Sequence, residues 1–205
     1  MAPRRHPNRL VFSGRLNTPS HVAALNTLMH EIMPRIWRVR EDVCLTMAGT
    51  RPPRQARAWA HDPRISVTGY TPDLRPYLAG ASVAVCPHPF AVGTLDSILE
   101  AQAMGTPVVP DDAATGGLSA IPGRDLLVAG TADRFAQQTL RLLEDDALWY
   151  ALSLQGRAYV ERRHALPVVR EQLEQLYREA SGVNYMLPTT GNLSAALRSS
   201  RLAGV

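Results

Sequence analysis

The chain has 205 residues, 45% of them hydrophobic and 20% charged, with a formal net charge of +4, the composition of an ordinary globular domain with or without a tail. No apolar run reaches the roughly 20 residues of a membrane-spanning helix, and the opening MAPRRHPNRLVF lacks the apolar core of a signal peptide, so the cytoplasm is the expected location. All 22 basic residues are arginine, and Arg4-Arg5, Arg51/Arg54/Arg57 and Arg157/Arg162/Arg163 are scattered without interleaved aromatics. That pattern is a solvated surface rather than a nucleic-acid footprint. Cys44 and Cys86 stand in apolar runs with no Cys/His cluster of ligand spacing, so both are expected as buried thiols and no metal site is expected.

In chain order, Arg9–Ser13 reads as a first strand. Ser20 can cap a helix whose Val22, Leu25, Leu28, Met29 and Ile32 share a face, and Pro34 should end or kink it. A second strand over Val43–Ala48 is followed by a short helix near Pro53–Ala60, and a third strand covers Ile65–Thr68. Thr71-Pro72-Asp73 then starts a helix that runs to about Ala79. Val83–Cys86 is a fourth strand, ended by Pro87-His88-Pro89. Gly93 and Thr94 open a helix with Leu95, Ile98, Leu99 and Ala103 at helical spacing, which Gly105 stops before a fifth strand at Val108–Pro110.

A sixth strand is expected at Leu126–Val128, and three helices at Ala132–Glu144, Ala147–Arg163 and Pro167–Ala180. In the last of these, Val169, Leu173, Leu176, Tyr177 and Ala180 line one side. Alternating strands and helices predict an α/β fold, a single Rossmann-like doubly wound parallel sheet with helices on both faces and C-terminal helices behind it. We place this domain at residues 1–180. Residues 181–205, rich in Gly, Ser, Asn, Thr and Pro, read as a flexible or partner-docking tail.

The stretch with most chemistry in it is 83–110, VAVCPHPFAVGTLDSILEAQAMGTPVVP. In open parallel sheets, ligands bind in the crevice beyond the carboxyl ends of the strands. Backbone N–H groups at the start of a helix suit an anion, and Gly93 lets a phosphate approach. Glu100, one turn further in, can accept hydrogen bonds from sugar hydroxyls. A phosphate seat with a carboxylate behind it points to a nucleotide.

The phrase Ile98-Leu99-Glu100-Ala101-Gln102-Ala103-Met104-Gly105-Thr106-Pro107-Val108-Val109 resembles the donor-site signature of the family 4 retaining glycosyltransferases, which have the GT-B fold. The likeness is collinear over about residues 9–180. It takes in the first strand and Gly-Arg loop at Leu10–Leu16, the second and third strands at Leu45–Gly49 and Ile65–Tyr70, and Pro122–Val128 with Phe135-Ala136 beyond it. It implies the C-terminal, nucleotide-sugar-binding half of a GT-B enzyme. The implied donor-binding residues are Gly14, Arg15, Gly69, Tyr70, Gly93, Thr94, Leu95 and Glu100, with Arg15 at the diphosphate, Gly69-Tyr70 at the base and Glu100 at the ribose. No catalytic protein nucleophile and no metal cofactor are implied; the nucleotide-diphosphate sugar is itself the substrate.

The chain departs from that pattern at several points. Val92 stands where the first acid of the family's paired-Glu motif is expected, and Leu95-Asp96-Ser97 replaces a Gln-Asn-Lys ending found in some relatives. Leu16–His21 has no lysine; His21 could stand in for one only when protonated. Asp96 favours its helix and disfavours an anion there. Two readings follow. In the first, the chain transfers a sugar to a glycan-type acceptor together with a missing N-terminal half, supplied by a separate chain or with the chain as a homo-oligomer. In the second it is a non-catalytic, degenerate half-domain acting as a partner subunit or remnant. Neither involves nucleic acid or a membrane span.

Overall fold

The computed structural model describes residues 5–88 and 96–181. The chain divides into two compact units, Met1–Glu161 and Arg162–Val205.

The first unit is built on a five-stranded sheet: β1 (Arg9–Arg15), β2 (Cys44–Thr50), β3 (Ile65–Gly69), β4 (Val83–Cys86) and β5 (Val108–Pro110). The order is β3-β2-β1-β4-β5 and every pairing is parallel. Strand order therefore reverses between β1 and β4, the place where open α/β sheets leave a crevice. Alternation along the strands divides the core in two. Leu10 and Phe12 of β1, Leu45 and Met47 of β2, and Val83 and Val85 of β4 enter one cluster. Val11, Ala48, Ala84 and Cys86, their neighbours on the same strands, enter the other.

The first face is covered by α1 (Pro19–Thr27), α2 (Met33–Trp37), α3 (Arg54–Trp59) and α6 (Ala132–Glu144), whose Leu25, Ile36, Ala56 and Phe135 lie in that cluster. The second face is covered by α4 (Arg75–Ala79) and α5 (Asp96–Ala103), through Leu78, Ile98 and Ala101. The doubly wound sheet expected from the alternation is the fold observed. The next helix, α7 (Asp146–Arg163), contains the boundary between the units. Its Trp149 is buried and donates from Nε1 to the Ser82 carbonyl at 2.6 Å, while Ser153 Oγ donates to the Gly105 carbonyl at 2.5 Å. Arg5 stacks on the Trp149 ring and ion-pairs with Asp146. In the second unit, α8 (Leu166–Ser181) exposes Leu173, Leu176 and Tyr177.

Four local expectations are corrected. Thr18, not Ser20, caps α1: its Oγ1 accepts from the His21 N–H at 3.3 Å, and Pro19 takes the first helical position, where no N–H is needed. Of the end or kink expected at Pro34, the end is corrected, because helical backbone continues through it. A wide turn over Leu28–Ile32 lets Met33 N–H reach back to the Leu28 carbonyl, which eases the contact Pro34 would otherwise make with the preceding turn. The helix expected from Thr71 begins only at Arg75, because Asp73 Oδ1 accepts from Arg75 N–H at 2.9 Å and holds 71–74 as a turn.

Finally, Leu126–Val128 lies along β5 without forming a sixth strand. Leu127 and Ala129 donate to the carbonyls of Val108 and Pro110, at 3.2 and 3.1 Å. Pro110 has no N–H to return to Leu127, so the ladder stays at a single bridge, Asp111 to Ala129.

Candidate functional site

A cavity of about 400 Å³ opens at the carboxyl end of the sheet, beside the reversal between β1 and β4. Gly14, Arg15, His21, Gly49, Thr50, Thr71, Leu74, Asp96, Ser97 and Glu100 line it. Its floor is the joined ends of β1 and β2, where Gly14 faces Gly49 and Arg15 faces Thr50 in register. These backbones approach so closely that a Cβ on Gly49 would lie 1.8 Å from the Gly14 carbonyl oxygen. Only glycine fits there, and its φ of +150° is one that side-chain-bearing residues rarely adopt. Leu16 N–H then donates to the Thr50 carbonyl at 3.0 Å, which turns the chain away and leaves Arg15 exposed at the cavity.

A histidine pair stands at the α1 side of the cavity, with His21 lining it and His88 packed against His21. His21, in the first turn of α1, packs edge-on to Phe12 and to His88, with ring centroids 5.7 and 4.8 Å away. Its Nδ1 is 2.6 Å from Thr18 Oγ1, and its Nε2 lies where a Cβ on Gly14 would come within 2.4 Å. His88 is 1% exposed; its Nδ1 is 3.2 Å from Ser20 Oγ and its Nε2 has no hydrogen-bond partner. Burial, and next to it the neighbouring His21, pushes the His88 pKa down to about 4, while burial lowers that of His21.

The opposite wall is α5, with Asp96 in its first turn and Glu100 one turn on. Burial raises the Glu100 pKa, and the nearby Asp96 charge adds to that. Ser97 between them is buried, its Oγ 4.0 Å from the Cys86 sulfur. The Cys86 thiol itself is pushed up to about 12 by burial and is inert. Among the described residues, Arg15 is the one guanidinium lining this cavity, opposite two carboxylates. A second cavity of about 520 Å³ adjoins it through Thr71, Leu74 and Glu100, and extends between α4 and α5 to Leu78 and Met104.

Of the residues named from sequence, Gly14, Arg15 and Glu100 line the first cavity together. Gly69 and Tyr70 do not line it; they immediately precede Thr71, which does, and Tyr70 is 79% exposed. Gly93, Thr94 and Leu95 lie outside the described residues. Sequence reasoning missed Gly49, Thr50 and Leu74. The one signal for the first two is the repeated small-Gly-polar ending of two successive strands, Ser13-Gly14-Arg15 and Ala48-Gly49-Thr50. Among the described residues, no group of three His, Cys, Asp or Glu side chains is placed to hold a metal ion. Nor is any helix long and apolar enough to cross a membrane.

A doubly wound parallel sheet with a cavity at its topological switch belongs to the class of Rossmann-like domains. Comparison with known proteins narrows the class. The sequence model of the glycosyl transferases group 1 family matches residues 7–145, and the chain belongs to that family. No curated protein matches it significantly by sequence.

Among solved structures, HepE of Anabaena in complex with UDP and glucose superposes with a TM-score of 0.69 at 14% identity, over 85% of this chain and 48% of that one. Sucrose-phosphate synthase of Thermosynechococcus elongatus gives 0.69 at 22% identity, over 84% and 45%. The C-terminal domain of the glycosyl transferase group 1 protein LpcC from Francisella tularensis gives 0.61 at 15%, over 77% and 86%. The chain thus spans less than half of the two longer proteins and most of the isolated C-terminal domain. Its fold is that of one half of a GT-B glycosyltransferase.

Proposed function

We propose that this chain is the donor-binding half of a retaining, family 4-like glycosyltransferase. It acts with a second half to pass a sugar from a nucleotide-diphosphate sugar to a glycan-type acceptor. The observation that carries the reading is that Gly14-Arg15 at the end of β1 and Glu100 on α5, the helix after β4, open onto one cavity beside the switch between β1 and β4. The family match over 7–145 and the UDP held by HepE, a protein of similar fold, support it.

In this reading the Arg15 guanidinium holds the diphosphate through charge-assisted hydrogen bonds and stabilises it as the leaving group. Glu100 accepts from the ribose hydroxyls, and the backbone around Gly69-Tyr70-Thr71 borders the base. No protein nucleophile is required. The adjoining half would orient the acceptor and exclude water, so this chain alone binds donor weakly and transfers nothing.

Titration calorimetry with UDP-glucose tests the site. Arg15→Ala, which removes a contact of about 1.5–3 kcal/mol, should weaken binding by roughly 10- to 100-fold. Unchanged affinity in that variant would remove Arg15 from the site. The second reading, a non-catalytic half-domain, is favoured by the cavity's two carboxylates facing a single guanidinium. It predicts no UDP-glucose binding by the intact chain.

A further inference from the structure

We propose that His21 is the second cation of the diphosphate seat, taking up one proton from solvent as the nucleotide sugar binds. The inference rests on the donor-site reading above and adds to it a residue and a pH dependence. Three observations on the geometry carry it. His21 lines the same cavity as Arg15, so both can meet one anion. It stands in the first turn of α1, which holds no acidic residue, where helix N–H groups favour negative charge. And its ring is held in place: packed against Phe12 and His88, with Nε2 lying over the bare Cα of Gly14.

The cationic ring is already provided for. Thr18 Oγ1, 2.6 Å from Nδ1, accepts from the protonated nitrogen, which leaves Nε2–H for a ligand oxygen at the cavity. Among the described residues, the charged and titratable groups that line the cavity with His21 or touch its ring are Arg15 from β1, His88 beyond β4, and Asp96 and Glu100 from α5. His88 stays neutral at physiological pH and so supplies an apolar, uncharged backing. Burial lowers the His21 pKa and so favours its neutral form. A diphosphate beside it reverses that balance, and the proton is the linked ligand.

The experiment uses the full chain and UDP-glucose, whose diphosphate is esterified at both ends and carries a constant charge, unlike the terminal phosphate of UDP, which titrates near pH 6. Calorimetry at about pH 6 and about pH 8, in two buffers of different ionisation enthalpy, reads both affinity and proton uptake. Binding should be about three- to tenfold tighter at the lower pH, with net uptake of a fraction of a proton up to one. The C–H resonance of His21 should titrate at higher pH in the complex.

His21→Gln should abolish the uptake and bind with the weaker affinity at both values. His21→Lys should bind at both with the tighter one. Glu100→Gln should weaken binding but keep the uptake, which separates His21 from Glu100, a carboxylate in the same cavity whose pKa burial already raises. Affinity independent of pH with no proton taken up overturns the inference and leaves the donor site standing. Uptake that persists in His21→Gln also overturns it and moves the proton to Glu100. No binding of UDP-glucose at either pH overturns both. The wild-type measurements require no variant to fold.

Discussion

Gly49→Ala puts the architecture of the cavity floor to a stringent test. The new Cβ would sit 1.8 Å from the Gly14 carbonyl oxygen and 2.9 Å from its carbon. Both are backbone atoms paired across β1 and β2, and they cannot rotate out of the way as a side chain would. Forcing β1 and β2 apart is overpacking, costing about 1–3 kcal/mol, and a side chain at a φ of +150° adds about 1–2 kcal/mol. The sum, about 2–5 kcal/mol, is a large share of the roughly 5–15 kcal/mol that holds a domain folded.

Urea unfolding followed by circular dichroism should show the midpoint drop with little change in slope, and the melting temperature should fall by on the order of 10 °C. Gly116→Ala is the control. Its Cβ would meet nothing nearer than the Ala113 carbonyl at 3.8 Å and its φ is an ordinary −59°, so it should change stability by less than about 0.5 kcal/mol. A Gly49→Ala loss below about 1 kcal/mol would refute the close pairing of these strand ends.

Acid should destabilise the fold through His88. Its folded pKa is depressed to about 4 from an ordinary 6.5, so its contribution is complete above 6.5 and is lost as pH falls from there towards 4. The loss is roughly 2–4 kcal/mol in all, and His88→Leu should flatten that part of a pH series of urea midpoints. Asp96→Asn removes a charge from the first turn of α5 at the cavity and should strengthen UDP-glucose binding about two- to fivefold by calorimetry. Trp149→Phe deletes the donor to the Ser82 carbonyl and should cost about 1–3 kcal/mol in urea unfolding. The isolated chain should show no sugar transfer in an assay with UDP-glucose and glycan acceptors; robust turnover would contradict the need for a second half.

The fold was largely legible because each strand is a short apolar run between breakers, and each run splits its residues between two cores. Leu10 and Phe12 face one way and Val11 the other, as period-two alternation requires. Where legibility failed, the deciding fact was a short-range hydrogen bond, as at Thr18 and Asp73, the geometry of an adjacent turn, or a residue in another element. Pro34 breaks a helix read in isolation, but a widened turn ahead of it lets helical backbone continue. Leu126–Val128 has the apolar character of a strand, yet its ladder depends on an N–H that Pro110, in another element, lacks.

At the site, Gly14, Arg15 and Glu100 could be named from motifs, whereas the demand for glycine at position 49 arises only from the register of β2 against β1. Ser97 is instructive in the opposite sense. Restoring a lysine there looks from sequence like the gain of a cation, but the side chain is buried beside Cys86. A lysine would pay desolvation before it met any phosphate, which is why Asp96 alone is the site to change.

The charge balance of the cavity links the departures from the family pattern to one physical consequence. Among the described residues, one guanidinium, two carboxylates and the His21 imidazole line the cavity. In the proposed donor site, an incoming diphosphate would meet two carboxylates of its own sign, offset among the described residues by Arg15. Two adjustments lie within reach of the protein without any change of fold, and both are protonations. Burial and Asp96 already move Glu100 towards its neutral form, and an anion near Thr18 and Gly14 would move His21 towards its charged form. Each makes the cavity less negative by one unit. If the proposed donor site holds, proton occupancy would set donor affinity as much as shape does. Adding a fixed cation at position 21 should raise affinity at neutral pH more than any repacking of the walls.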